Sequence, residues 1–214
     1  LRMSLLARHL AAAGCHVLWW SSAFDHSYKR YRTPGESRLS AGPNLHVYLL
    51  RGTGYERNVS FRRFMDHRVL ARRFTALAPS EPSPALIVCA IPTIELAAAG
   101  IRYATRRGIP AVIDIRDLWP DIWLDLLPRP IRPLGRLALA PLFRAARRAL
   151  CRASAVTAVS PRYLAWGLSK AARSATPWDR VFPHGYPRLS YDAGTLQRAR
   201  GRLLAAGVDP TKRI

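Results

Sequence analysis

The sequence has few cysteines, three among 214 residues, at Cys15, Cys89 and Cys151. They lie far apart, none belongs to a CxxC pattern, and no histidine stands at the spacing of a zinc ligand. This arrangement argues against a disulfide framework and against a zinc site. Because each cysteine adjoins an apolar run, we expect buried, reduced thiols in a cytosolic domain.

Long apolar runs are also missing. A membrane-spanning helix needs about 20 apolar residues, and the nearest approach, residues 85–101, carries Pro92 and Glu95 in its middle. We therefore expect no spanning helix in this sequence. The patterns GxSxG, HExxH, GxGxxG and GxxxxGK do not occur either, so hydrolase, zinc-protease and P-loop functions lack support.

Acidic residues are scarce, with 13 Asp and Glu against 34 Lys and Arg, which gives a formal net charge of +21. Lysine occurs only at Lys29, Lys170 and Lys212, so arginine carries nearly all of the positive charge. A charge excess of this size attracts anionic partners, namely phosphates, nucleic acids or acidic lipids. No zinc-finger, RNP-like or basic–aromatic strand pattern is present, which argues against nucleic acid.

The sequence does contain 49% hydrophobic residues, enough for a packed core in one α/β domain or one and a half. Two apolar runs flank a helical segment, and this strand–helix–strand order is typical of parallel strands buried on both faces. We predict a doubly wound sheet that binds ligands beyond the carboxyl ends of its strands. The predicted strands are residues 15–20, 45–50, 85–90, 110–115, 155–159 and 180–182; the predicted helices are residues 1–13, 61–77, 92–107, 163–170 and 192–206; residues 21–44 are predicted to form a long loop.

One predicted strand ends in a dense group of polar and aromatic side chains. Carboxylates, a guanidinium and an indole at such an end can orient sugar hydroxyls, bind a phosphate and supply a base. The alternative is structural, with Asp117 capping the next helix and Arg116 pairing with it. The group comprises Asp114, Arg116, Asp117, Trp119 and Asp121.

Other candidates are less decisive. Ser22, His26 and Lys29 follow the Trp-rich strand and suit a diphosphate or a saccharide, although a solvated loop explains them equally well. His184 lies beside Gly185, which permits a tight turn next to a ligand. His67 lies inside a helix, and a structural role is the favoured interpretation.

Two arginine pairs, Arg132 with Arg136 and Arg144 with Arg148, are each spaced four residues apart on a helical stretch. Leucines beside them give a weak signal of a membrane-surface helix. A solvated basic face is an equally good interpretation of the same residues.

Five strings, in order along the chain, carry a resemblance to a known family. They are GCHVLWWSSAFDHSYK (residues 14–29), GYERNVS (54–60), DHRVLARRF (66–74), DIRDLWPD (114–121) and FPHGY (182–186). Together they resemble the N-terminal half of bacterial family 4 glycosyltransferases of surface, capsular and exopolysaccharide assembly. The resemblance covers nearly the whole chain.

The resemblance implies a GT-B architecture, in which a Rossmann-like acceptor-side domain faces a second domain that binds the nucleotide sugar. It implies retaining transfer without a metal or other cofactor, from a nucleotide sugar to a lipid-linked diphosphate or saccharide acceptor. The protein would act in the cytoplasm, peripherally at the inner face of an anionic membrane, with no nucleic acid as partner.

The resemblance also implies roles for individual residues. Asp117 would contact the acceptor hydroxyl, and Arg116 would fix a diphosphate or the loop. The remaining substrate-binding candidates are Ser22, His26, Lys29, Asn58, Asp114, Trp119, Asp121, His184, Gly185 and Tyr186.

Two parts of the family pattern have no counterpart in these 214 residues. One is a first strand with its glycine-containing loop, which would be central in the sheet, and the other is the second domain. We therefore expect residues 1–190 to form the acceptor-side domain and residues 191–214 a helix and linker. We also expect unpaired sheet edges near residues 15–20, poor folding and no transfer by this chain alone. The alternative functions are a non-catalytic remnant or scaffold and, less favoured, a nucleic-acid binder.

Overall fold

A computed structural model describes residues 2–185 and 191–209. The chain divides into two compact units, Leu1–His184 and Gly185–Ile214. The strands of the first unit are β1 Val17–Ser22, β2 Phe24–Asp25, β3 Arg30–Tyr31, β4 Ser37–Gly42, β5 Leu45–Leu50, β6 Ile87–Ile91, β7 Ala111–Ile115, β8 Ala155–Ala158 and β9 Arg180–Val181. Its helices are α1 Arg2–Ala12, α2 Phe61–Leu77, α3 Ile94–Arg107, α4 Asp121–Asp125, α5 Arg132–Ala138, α6 Ala140–Arg152 and α7 Pro161–Ala171, and the second unit contains α8 Ala193–Ala205.

The larger sheet is entirely parallel, in the order β6-β7-β8-β9. Its central strand β7 is covered on both faces, and Ile113 and Ile115 are fully buried there. Helix α3 crosses from β6 to β7 and ends at Gly108, whose φ of 66° is the left-handed conformation that glycine adopts most readily. The predicted α/β class and parallel strand–helix–strand unit are confirmed.

A second sheet has the order β1-β5-β4, with β1 parallel and β4 antiparallel to β5. The prediction of one long loop over residues 21–44 is therefore wrong, because this stretch forms β2, β3 and β4. Strand β4 has the sequence SRLSAG and is mostly exposed. It offers little apolar alternation to detect, since backbone pairing with β5 defines it.

Helix α2 packs between the second sheet and α3. Ser60 caps it, with its hydroxyl accepting a hydrogen bond from the Arg63 amide at 3.3 Å. The buried side of α2 presents Leu70 and Phe74 to Leu50 on β5 and to Ala99 on α3. This cluster fixes α2 against β5 and α3.

Both β1 and β6 are edge strands among the described residues, since β1 pairs with β5 and β6 with β7. Every residue of β1 is half-buried. Unpaired edges near residues 15–20 are what the family resemblance leads us to expect.

The cysteines differ from expectation. Cys89 on β6 is buried, but Cys15 and Cys151 are exposed. Cys15 lies in the turn between α1 and β1, and Cys151 lies near the end of α6, so adjacency to an apolar run did not imply burial. No helix among residues 2–185 and 191–209 has the length and apolar content needed to cross a bilayer.

Candidate functional site

The carboxyl ends of β5, β6 and β7 bring three loops together, and the polar side chains on and between them define a candidate site. We call this site the strand mouth and define it by residues 51–67, 92–95 and 114–121. It lies where parallel sheets place their ligand-binding groups.

Asp114 lies in β7 at the base of the strand mouth and is 2% exposed. Its two carboxylate oxygens accept hydrogen bonds from Arg2 Nη2 at 2.8 Å and Nε at 2.9 Å. Thr157 on β8 donates a third hydrogen bond at 2.7 Å. Asp114 is thus held by neighbouring protein groups and supports the floor of the site.

Arg116 follows β7 and reaches across to the loop after β6. Its Nη2 donates to the Pro92 carbonyl at 2.9 Å, while its buried Nε has no hydrogen-bond partner among the described residues. The pKa of the Arg116 guanidinium is lowered. Burial is the largest cause and the charge of Arg2 adds to it, while the charge of Asp114 acts in the opposite direction. The structure therefore leaves one buried donor of Arg116 unsatisfied at the mouth.

Asp117 is tied to its own loop. One carboxylate oxygen accepts a hydrogen bond from the Leu118 amide at 2.8 Å, and the other accepts one from Trp119 Nε1 at 3.2 Å. These bonds fix the carboxylate on the half-buried surface of the loop. Each oxygen retains acceptor capacity toward an incoming hydroxyl.

At the end of the same loop, Trp119 and Asp121 contact other protein side chains. Trp119 is buried, and its ring lies 4.9 Å from that of Trp123 in an edge-to-face arrangement. Asp121 accepts hydrogen bonds from Lys170 Nζ at 2.9 Å and from Trp166 Nε1 at 3.2 Å. Asp121 therefore holds α4 against α7.

Two further residues lie at the strand mouth: His67, for which the sequence favoured a structural role, and Glu95, which was not among the sequence-based candidates. His67 Nδ1 on α2 lies 3.6 Å from Glu95 Oε2 on α3, and their side chains are 7% and 11% exposed. Neither Glu95 oxygen, nor His67 Nδ1, has a hydrogen-bond partner among the described residues. The available signal was periodicity, since His67 lies in the stripe that contains Leu70 and Phe74.

Arg63 connects the two sides of the mouth. Its guanidinium carbon lies 4.7 Å from the centre of the Trp119 ring and 5.6 Å from that of Tyr55. Its Nη1 donates to the Asn58 carbonyl at 2.9 Å. Stacking on two rings holds a positive charge over the mouth.

Glycines in the loop after β5 make room for a buried carboxylate. A Cβ on Gly52 would lie 2.0 Å from Asp66 Oδ1. That oxygen accepts a hydrogen bond from the Gly54 amide at 2.8 Å. The backbone therefore approaches Asp66 closely, which orients the N-terminal half of α2 and with it His67.

The β2–β3 hairpin, which follows β1, brings some of the remaining candidates together. Lys29 Nζ donates to Asn58 Oδ1 and to the His26 carbonyl, and it lies 4.8 Å from the centre of the Tyr55 ring. The Ser22 hydroxyl accepts a hydrogen bond from the Phe24 amide at 3.0 Å. Lys29 and Asn58 thus form one group, whereas the His26 side chain is exposed to solvent.

The candidates after β9 are open to solvent. His184 and Gly185 are exposed, and Tyr186 lies outside the described residues. Arg2 Nη1 donates to the Phe182 carbonyl and, at 3.1 Å, to the Pro183 carbonyl. Arg2 therefore ties the end of β9 to Asp114.

Taken together, the strand mouth offers cationic donors, a buried carboxylate and an imidazole to a hydroxyl-rich, anionic ligand. Within the described ranges, no three His, Cys, Asp or Glu side chains lie close enough to hold a metal ion. The chain matches no model of a known protein family, and no curated protein matches it significantly.

Proposed function

We propose that this chain forms the acceptor-side half of a retaining glycosyltransferase of GT-B architecture. The enzyme would transfer a sugar from a nucleotide sugar to a lipid-linked diphosphate or saccharide acceptor during surface-polysaccharide synthesis. The support comes from the five sequence strings and from their position in the fold, because DIRDLWPD and GYERNVS both lie at the strand mouth.

One observation carries the proposal. Glu95, His67 and Arg116 place buried polar atoms without hydrogen-bond partners, among the described residues, at the carboxyl ends of parallel strands. Buried polar groups left without partners destabilise a fold by about 1–3 kcal/mol each. A ligand that carries hydroxyl and phosphate groups would satisfy them.

The chemistry proposed for the mouth requires two roles. Asp117 accepts a hydrogen bond from the acceptor hydroxyl and orients its oxygen toward the anomeric carbon. Arg116 and Arg63 stabilise diphosphate charge. The new bond joins the acceptor oxygen to the anomeric carbon, the bond from that carbon to the phosphate oxygen breaks, and the hydroxyl proton passes to the departing nucleoside diphosphate.

The excess of positive charge, +21 over the whole sequence, supports the remainder of the proposal. The donor, the acceptor and the inner face of the cytoplasmic membrane are all anionic. The protein would therefore work peripherally at that face, with nucleotide-sugar binding supplied by a second domain and no metal required.

The test is a transfer assay on the product of the full gene, with a panel of nucleotide sugars and polyprenyl diphosphate saccharides. Asp117→Asn is compared with Asp125→Asn, an exposed aspartate five residues beyond the loop's Pro120. We expect kcat to fall at least about 100-fold in Asp117→Asn and to stay unchanged in the control. Full activity in Asp117→Asn, or a folded protein inactive with every donor, would contradict the proposal.

A further inference from the structure

Two clefts adjoin along the outer surface of α6, and arginine dominates both. The first, about 470 Å³, lies between α3 and α6. The second, about 410 Å³, lies between α5, α6 and α7. Arg144 lines both clefts, so they form one continuous surface, which we call the basic face. The cationic residues of the basic face are Arg102, Arg136, Arg144, Arg147, Arg148 and Arg152.

The positive charge of the basic face is not neutralised locally. Neither cleft is lined by an Asp or Glu of the described chain. Lys170, which also lines the second cleft, is paired with Asp121 at 2.9 Å. Burial, together with repulsion from Arg106 and Arg152, lowers the pKa of Arg102. Cations crowded in this way favour an external anion.

Exposed leucines lie on α5, the helix that contributes Arg136 to the basic face. On α5, Leu134 is 69% and Leu137 is 73% exposed. Gly135 lies between them and faces inward, where an added Cβ would come within 2.3 Å of Leu127. Helix α5 is thus seated through Gly135, while Leu134 and Leu137 remain open to solvent.

We propose that the basic face and the exposed leucines of α5 dock on the surface of an anionic phospholipid bilayer. Guanidinium groups pair with lipid phosphates, and leucines enter the interfacial zone of the bilayer. A soluble phosphate ligand would account for the arginines but not for the exposed leucines. A nucleic-acid surface would be expected to present aromatic side chains, on which bases stack, rather than leucines. This inference rests on the peripheral membrane contact of the proposed function and names the surface that makes it.

The test is flotation of the purified product of the full gene with vesicles of phosphatidylglycerol and phosphatidylcholine in equal parts, and separately with vesicles of pure phosphatidylcholine. The chain should float with the anionic vesicles alone. Arg144→Gln/Arg148→Gln should lower the partition coefficient about 30-fold, and Arg102→Gln/Arg152→Gln should act alike. Leu134→Ser/Leu137→Ser should lower it about tenfold, with the loss persisting at high salt.

The matched control is Arg68→Gln/Arg72→Gln, which removes two exposed arginines with the same spacing from α2. It should bind anionic vesicles almost as the unchanged chain does, and circular dichroism should show every variant folded. Equal losses in the control pair and in Arg144→Gln/Arg148→Gln would overturn the proposal, because the net charge alone would then explain binding. Saturable binding of inorganic phosphate or duplex DNA without vesicle binding would overturn it as well.

Vesicle binding needs neither donor nor acceptor, so it is separable from the proposed function. Docking through the basic face without sugar transfer by the full gene product would overturn only the proposed function. Transfer to a soluble acceptor by a protein that ignores anionic vesicles would overturn only the docking surface.

Discussion

Arg2 holds Asp114 across 112 positions of sequence through two hydrogen bonds of 2.8 and 2.9 Å. The same guanidinium reaches the backbone carbonyls of Phe182 and Pro183. One arginine at the start of α1 thus joins β7, in the middle of the parallel sheet, to the segment after β9. The base of the strand mouth depends on this contact.

Replacement of Arg2 should therefore destabilise the first unit. Arg2→Gln removes the guanidinium that is paired with a carboxylate only 3% exposed, and breaking a buried pair costs about 3–5 kcal/mol. Urea unfolding should report a loss of that order. Arg62→Gln, at an exposed pair with Glu56, should change the free energy of unfolding by less than about 1 kcal/mol. Similar values for the two variants would contradict the structural role of Arg2.

The cysteines should differ sharply in reactivity. Burial raises the pKa of Cys89 to about 12, so it carries almost no thiolate at pH 8. Cys15 and Cys151 are exposed. A thiol-specific reagent should label two of the three cysteines in the native protein and the third after unfolding in urea. Rapid labelling of a Cys15→Ser/Cys151→Ser variant in its native state would show that Cys89 is accessible.

Because of Asp179, the free energy of unfolding should fall as the solution becomes acidic. Burial by itself raises its pKa, but hydrogen bonds from Arg173, Thr176 and the Val156 amide hold that pKa well below the ordinary value. A depressed carboxyl pKa contributes stability that is full at neutral pH and is lost as pH falls through and below the ordinary carboxyl range near 4.

The corresponding variant is Asp179→Asn. It should be less stable than the unchanged chain at pH 7, by about 3 kcal/mol, and the gap between the two should narrow as pH falls below about 4. Thermal unfolding across pH measures this gap. A gap that stays constant down to pH 2 would exclude Asp179 as the source of the acid sensitivity.

Replacement of Glu95 by glutamine should lower sugar transfer without destabilising the fold. Its carboxylate is buried and, among the described residues, has no hydrogen-bond partner, so Glu95→Gln should leave the free energy of unfolding unchanged or raise it by about 1 kcal/mol. Sugar transfer by the full gene product should fall at least about tenfold. Glu81→Gln, which breaks a pair with Arg38 at 3.3 Å, should leave transfer intact. A strongly destabilised Glu95→Gln variant would indicate a structural carboxylate instead.

Gly52 should tolerate no side chain. The Cβ of Gly52→Ala would lie 2.0 Å from Asp66 Oδ1, and overpacking of this kind destabilises by about 1–3 kcal/mol. Gly35→Ala is the matched control, because its Cβ would meet nothing within 4 Å. Chemical denaturation of the two variants should separate them, and equal stabilities would show that the loop after β5 moves freely away from Asp66.

The parallel sheet was predictable because its signals are local. The run that became β6 is apolar throughout, the run that became β7 is apolar except for Asp114, and Gly108 ends the helix between them. Strand β4 gave no such signal, since its residues are mostly exposed and only its pairing with β5 makes it a strand. Hydrophobic pattern thus predicted the covered strands and missed β2, β3 and β4.

The strand mouth was predictable only in part, for a similar reason. DIRDLWPD places four charged residues close together at the end of one strand, so a single stretch of sequence indicated that part of the site. His67 and Glu95 lie on different helices, 28 positions apart by their residue numbers, and meet only through the packing of α2 against α3. No single stretch of sequence contains that pair, so its existence follows from tertiary structure.

Two of the four edge strands of the two sheets, β1 and β6, affect how the protein behaves in solution. Each edge presents backbone donors and acceptors to whatever lies beside it, and such edges recruit further strands. Strand β1 also carries half-buried tryptophan side chains, whose apolar surface favours association. We therefore expect the chain to self-associate through these edges where they are bare, and a strand that covers them to prevent that association.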